Sequence, residues 1–193
     1  MSIKILTNIP NIPTVEFTRN APIEELIELG RKRIARAMNL GTTTMECKSG
    51  YGLDGQSEIK LLKASHILGQ KSHLDIHSTW LGAHDFPKGM ENGDYVESLI
   101  SDQLPAVTEQ GYAKYCDVFC EPGWFTLEQT EEIVNAAKSH GLTPRLHVDE
   151  FVDGNGLQLA AELGAVSGDH VGHSSDDARE YASQSGTMQT FLP

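Results

Sequence analysis

The chain alternates between two patterns of hydrophobic and polar positions along most of its length. Short runs rich in β-branched and apolar residues, typical of strands, are each followed by a longer segment with helical spacing of its apolar residues. The pattern predicts six strands, at residues 42–48, 75–82, 116–121, 144–150, 166–173 and 187–192. It predicts six helices, at residues 22–40, 56–68, 95–110, 127–140, 157–163 and 176–183.

Several of these helices carry signals for their ends. We expect Asn20 to cap the first helix and Gly41 to end it. Thr126 followed by Gln129 has the spacing of a capping box, in which each residue satisfies a backbone N–H of the other. Ser174 is the expected cap of the last helix.

Six strand–helix alternations predict a parallel sheet, either doubly wound or part of a (β/α)8 barrel. The glycine-rich fingerprints of dinucleotide-binding and phosphate-binding loops do not occur. Polar residues gather instead where strands end, which is where barrel enzymes hold their chemistry. We therefore expect an α/β fold, a partial (β/α)8 TIM barrel, with residues 1–193 forming one incomplete domain because a barrel needs about 250 residues. The strand-end polar residues are Lys48, His84, Glu121, His147, Glu150 and His170.

Composition narrows the classes of partner. The formal net charge of -12 argues against nucleic acid, since an acidic surface repels phosphate. No apolar stretch of about 18 residues predicts a membrane span, and residues 1–4 lack a signal-peptide pattern. Three cysteines are an odd number, so we expect Cys47, Cys116 and Cys120 to be buried thiols of a cytoplasmic protein.

Two predicted strand ends carry histidines that could serve a common site. His147 ends an apolar run, and Glu150 follows in the turn, which fits a metal ligand and a proton carrier. A half-buried histidine beside surface acids explains the same segment equally well. His170 ends the next strand, whereas we expect Asp169 to face the opposite way and to be structural. His173 is close by but fits a helix cap better.

Two further strand ends offer weaker candidates. His84 follows a strand that carries Gly82, where a ligand or a neighbouring backbone could approach. Tyr51 lies between Gly50 and Gly52, which describes a tight loop that presents one ring to a pocket. A plain turn is the alternative interpretation of this loop.

These segments together resemble a known family. The segment at 41–54, GTTTMECKSGYGLD, resembles the GTTTxExKSGYGL motif of imidazolonepropionases, which are amidohydrolases. The segments LGAH at 81–84, DVFCE at 117–121, LHVDE at 146–150 and SGDH at 167–170 follow in the family's order. The resemblance runs from about residue 18 to residue 193.

The resemblance implies a metal-dependent hydrolase that opens a cyclic amide C–N bond. Its small-molecule substrate would be 4-imidazolone-5-propanoate, converted to N-formimino-L-glutamate in histidine degradation. The cofactor would be one divalent ion, zinc or iron, which lowers the pKa of a bound water, and the protein could form a homodimer. By resemblance His147 is a metal ligand, Glu150 binds substrate and transfers protons, His170 is catalytic, and Tyr51 and His84 bind substrate.

The sequence also departs from the family pattern. The H-x-H of the family's first strand and the aspartate of its eighth have no counterpart here, so we expect the chain to correspond to about strands 2–7. With so few ligands, we expect the chain alone neither to hold a metal tightly nor to turn over substrate. Two alternatives stay open: another amidohydrolase or deaminase, and a non-catalytic barrel domain.

Overall fold

The computed structural model describes residues 12–191, and the strands in it form one parallel sheet. The six strands follow each other in sequence order across the sheet, and each pairs in parallel with the next, which gives a half-barrel. The predicted partial (β/α)8 barrel is therefore confirmed. The strands are β1 (Thr44–Lys48), β2 (Asp75–Ala83), β3 (Tyr115–Cys120), β4 (Thr143–Val148), β5 (Ser167–His170) and β6 (Met188–Thr190).

Helices connect the strands, as crossover connections between parallel strands require. A π-helical turn, Leu99–Gln103, joins the helices Asn92–Ser98 and Leu104–Gln110 into one long segment. Within residues 12–191, no helix combines the length and the apolar character needed to cross a bilayer. The helices are α1 (Ile12–Asn20), α2 (Ile23–Asn39), α3 (Gly55–Lys71), α4 (Asn92–Ser98), α5 (Leu104–Gln110), α6 (Leu127–Ser139), α7 (Gly156–Glu162) and α8 (Asp176–Ser185).

The helix ends agree with the sequence prediction in part. Thr126 and Gln129 form the predicted capping box of α6. Asn20 does not cap α2, because it is the last residue of a helix, α1, that the hydrophobic pattern did not predict. Ser175 rather than Ser174 caps α8, accepting the N–H of Ala178. Residue 192 of the last predicted strand and the N-terminal residues 1–4 lie outside the described residues.

The alternation of side chains along the strands separates a core from the barrel interior. In β3, Cys116, Val118 and Cys120 point towards the helices and are buried in the main core. Asp117 and Phe119 point the other way, into the interior of the half-barrel. The expectation of three buried thiols was wrong for Cys47, which is half-buried at the sheet edge, although all three cysteines are free.

Candidate active site

Five side chains singled out in the sequence converge beyond the C-terminal ends of the strands. The ring of His147 lies 5.2 Å from that of His170 and 6.5 Å from that of His84, measured between ring centroids. The ring of Tyr51 meets His84 edge-on at 4.8 Å. Glu150 reaches the same place, with its Oε2 3.6 Å from Nε2 of His170. The arrangement forms one cluster of imidazoles, a phenol and a carboxylate drawn from four strand ends.

Asp117 orients the central histidine. Nδ1 of His147 donates to Oδ1 of Asp117 over 3.0 Å, which leaves Nε2 available as a metal ligand. Asp117 is fully buried; burial alone would raise its pKa, but His147 and Lys48 outweigh it and hold the pKa well below the ordinary value. Burial likewise lowers the pKa of His147, and the Asp117 carboxylate reverses this and raises it.

Lys48 lies at the centre of a charged network inside the half-barrel. Its Nζ is 2.5 Å from Oδ2 of Asp117 and 2.8 Å from Oδ2 of Asp169, and 3.5 Å from Glu46. Burial acts to lower the pKa of Lys48, but the two aspartates outweigh it and raise the pKa. Arg145 adds a second cation, 3.4 Å from Glu46. The network connects side chains of β1, β3, β4 and β5 on the inner face of the sheet.

The residues present fit a metal ion only in part. Asp117, His147 and Asp169 offer ligand atoms that all lie within 4.8 Å of one another, a spacing suited to a cation. The ammonium of Lys48, however, already bonds to both carboxylates. A divalent ion at this triad would have to displace Lys48, whereas Nε2 of His147 is not taken up by the hydrogen bond to Asp117, which Nδ1 makes.

The structure corrects the predicted orientation of β5. Asp169 pairs with His147 across the sheet and therefore shares its face. His170 pairs with Val148, which points towards the helices, yet its ring reaches the site. The backbone explains this, since His170 has φ +78° and Val171 has φ +41°, a left-handed turn that redirects the side chain. Burial lowers the pKa of His170. The side chain of His173, the weaker candidate, is exposed.

The contacts of His84 define its protonation. Nδ1 lies 3.0 Å from the carbonyl oxygen of Gly50, and a carbonyl only accepts, so Nδ1 carries the proton. Burial lowers the pKa of His84, which favours the neutral ring. Its Nε2 is then an unprotonated acceptor. Tyr51, one residue after Gly50, is partly exposed with 39% of its surface accessible.

Buried carboxylates hold the loops that carry the site. Glu121 accepts the backbone N–H groups of Glu150, Phe151 and Val152 over 3.0, 3.0 and 3.1 Å. Asp149, with φ +52°, accepts three N–H groups at the start of α7 and the hydroxyl of Ser174. These bonds satisfy backbone donors that the turn after β4 would otherwise leave unpaired.

Aromatic rings form a wall beside the histidines that the sequence interpretation did not predict. The ring of Phe119 lies 6.1 Å from His147, 5.0 Å from Trp124 and 6.3 Å from Phe151. Phe125, by contrast, is fully buried in the core. The period-two alternation of β3 was the available signal, because it places Phe119 and Asp117 on one face.

The fold is that of an incomplete (β/α)8 barrel, and solved structures share it. The chain superimposes with a TM-score of 0.70 on 5-methylcytosine deaminase from Klebsiella pneumoniae, over 93% of this chain and 46% of that one, at 13% identity. It matches adenine deaminase from Arthrobacter aurescens with a TM-score of 0.68, over 92% of this chain and 55% of that one, at 16% identity. At such identities the likeness shows the fold.

Sequence similarity is more specific. The chain is 39% identical over 184 residues to imidazolonepropionase of Alkaliphilus oremlandii and 44% identical over 184 residues to that of Shewanella sediminis. These alignments cover 94% of the chain and confirm the resemblance seen in its motifs. The chain spans 44% and 45% of the length of these two relatives. No protein-family model matches it.

Proposed function

We propose that this chain forms the substrate-binding part of an imidazolonepropionase active site. The observation that carries the proposal is the convergence of Tyr51, His84, His147, Glu150 and His170 at one end of the half-barrel. The 39–44% identity to imidazolonepropionases gives this cluster a specific reaction. That reaction is the hydrolysis of 4-imidazolone-5-propanoate to N-formimino-L-glutamate. Water adds to the ring carbonyl carbon, the ring C–N bond breaks, and a proton is delivered to the departing nitrogen.

Each side chain has a part in this step that its geometry supports. Neutral His84 presents Nε2 as an acceptor for a ring N–H, and Tyr51 packs edge-on against it to close one side. Glu150 and His170 lie within 3.6 Å of each other, close enough to handle the same proton. Glu150 carries the proton from water to the ring nitrogen, and His170 polarises the carbonyl. The ring of Phe119 borders the site and limits its access to bulk water.

We further propose one divalent ion, zinc or iron, with Nε2 of His147 as a ligand. Such an ion lowers the pKa of a water molecule and so supplies the nucleophile near neutral pH. Asp117 prepares His147 for this role by fixing its tautomer. We place the activity in the cytoplasm, in keeping with the three free thiols. We also propose that the protein forms a homodimer, which analytical ultracentrifugation would test.

A chimera tests the proposed function. The 184-residue segment of Shewanella sediminis imidazolonepropionase that aligns with this chain is replaced by the chain. We expect hydrolysis of 4-imidazolone-5-propanoate by the chimera, and at least about a 100-fold lower kcat/KM after Glu150→Gln, since a positioned proton carrier contributes about 10²–10⁴-fold. The 193-residue chain assayed alone should show neither turnover nor tightly held metal.

Matched substrates distinguish the alternatives. The same chimera is assayed with adenine and 5-methylcytosine, the substrates that the names of the fold neighbours suggest. A folded chimera that deaminates either compound and leaves the imidazolone untouched contradicts the proposal. A folded chimera without any of the three activities favours a non-catalytic role for the chain.

A further inference from the structure

Glu58, outside the cluster just described, is a fully buried carboxylate with an unusual set of partners. It lies in the first turn of α3 and is 0% exposed. Its Oε2 accepts the backbone N–H of Gly50 over 2.7 Å, and its Oε1 accepts those of Gly52 and Leu53 over 2.8 and 3.1 Å. Burial raises the pKa of Glu58, and these three bonds, together with a hydrogen bond from the Ser49 side chain, offset part of the cost of burying the carboxylate.

The loop that Glu58 holds has a conformation with little tolerance for change. Gly50 has φ +103° and Leu53 has φ +52°, both in the left-handed region. A Cβ on Gly52 would lie 2.5 Å from Cβ of Ser57 and 2.9 Å from Oε1 of Glu58. The loop therefore packs directly onto the carboxylate, and its backbone strain is offset by the three hydrogen bonds.

This loop carries one of the proposed substrate contacts, Tyr51, and is hydrogen-bonded to a second, His84. Tyr51 stands between the two glycines whose N–H groups Glu58 accepts. The carbonyl of Gly50 accepts the Nδ1–H of His84, which selects the tautomer with a free Nε2. Glu58 therefore holds the backbone of Gly50, whose carbonyl determines which nitrogen of His84 carries the proton. It also holds the backbone on both sides of Tyr51 and so fixes where that ring lies.

We propose that Glu58 is a positioning residue that sets the tautomer of His84 and the orientation of Tyr51 by anchoring the loop between β1 and α3. Its importance for catalysis rests on the function proposed above; its effect on the loop does not. Glu121 provides a matched control, because it anchors the loop of Glu150 through three N–H groups in the same manner.

Glu58→Gln in the 193-residue chain tests the proposal. The amide keeps one acceptor oxygen but turns an NH2 group towards backbone donors. We expect ¹⁵N NMR to show His84 as the Nδ1–H tautomer in the unaltered protein and as a mixture of tautomers in the variant. Hydrogen exchange of the Gly50, Gly52 and Leu53 amides should accelerate by at least about tenfold, the effect of losing roughly one hydrogen bond.

The control separates a local effect from general loosening. Glu121→Gln should accelerate exchange at residues 150–152 and leave the His84 tautomer unchanged. An unchanged tautomer and unchanged exchange at residues 50–53 in Glu58→Gln would overturn the proposal, and so would an equal response to both variants. In the chimera, Glu58→Gln should raise KM by about tenfold with a smaller change in kcat. A chimera without turnover would contradict the proposed function while leaving the NMR result intact.

If Glu58→Gln fails to fold, measurements on the unaltered protein still test the proposal. The amides of Gly50, Gly52 and Leu53 must then exchange as slowly as those inside β1, and His84 must carry its proton on Nδ1. Fast exchange of these three amides, or a ring protonated mainly on Nε2, would refute the proposal without any variant.

Discussion

Asp117→Asn is the most informative single perturbation, because this carboxylate joins the charged network to the histidine cluster. The side chain is 0% exposed and bonds to both Lys48 and His147. The amide has nearly the same shape, so the substitution removes the charge and little packing. It leaves His147 an oxygen to donate to, whereas Lys48 retains the Asp169 carboxylate at 2.8 Å.

The expected cost follows from these remaining contacts. Removing one partner of a buried ion pair costs about 3–5 kcal/mol, and a hydrogen bond to a charged group contributes about 1.5–3 kcal/mol. Because Lys48 keeps one carboxylate and His147 keeps one acceptor, we expect the free energy of unfolding to fall by about 3 kcal/mol, at the low end of the first range.

The pH dependence has a definite sign. The pKa of Asp117 is lowered by folding, so its contribution is present above the unfolded value of about 4 and is lost as pH falls through the folded pKa. The pKa of His147 is raised, so its contribution is present below about pH 6.5 and is lost as pH rises through the folded pKa. The difference between wild type and variant should therefore be largest between about pH 4 and pH 6.5.

Urea denaturation followed by tryptophan fluorescence at about pH 5.5 and about pH 8.5 measures both effects. The control is Asp75→Asn, an exposed carboxylate at the start of β2, which should change stability by less than about 0.5 kcal/mol. A loss below about 1 kcal/mol for Asp117→Asn, or a larger loss at the higher pH, would refute the reasoning.

Four further predictions concern the metal and the packing. Lys48→Met leaves two carboxylates without their ammonium, so zinc should raise the Tm of this variant more than that of wild type; equal shifts would contradict competition between Lys48 and a cation. Adding His147→Ala should abolish that extra shift, because the third ligand of the triad is lost. Gly82→Ala should lower the free energy of unfolding by about 1–3 kcal/mol, because its Cβ would lie 2.7–2.8 Å from the ring of Trp80. Gly69→Ala, whose Cβ would have its nearest neighbour at 3.5 Å, should instead stabilise α3 by up to about 1 kcal/mol. Thermal melts measure both changes.

Much of the fold could be predicted from local pattern. Strand–helix alternation, with apolar runs followed by amphipathic segments, depends on neighbours within a few residues, and it gave all six strands and six of the helical segments. It failed for α1, whose mixed polarity gives no clear helical face, and Asn20 was consequently assigned to the wrong helix end. The strand ends indicated where chemistry would gather, because parallel strands bring their C-termini to one edge.

What the sequence determined is therefore the order of the elements and the candidate residues His84, His147 and His170. Only the tertiary structure decided which side chains share a face and which charges meet. Lys48 bonds to Asp117 and Asp169, which lie 69 and 121 residues away along the chain, and no local pattern encodes such contacts. The orientation of His170 depends on the left-handed backbone at His170 and Val171, which strand periodicity does not predict.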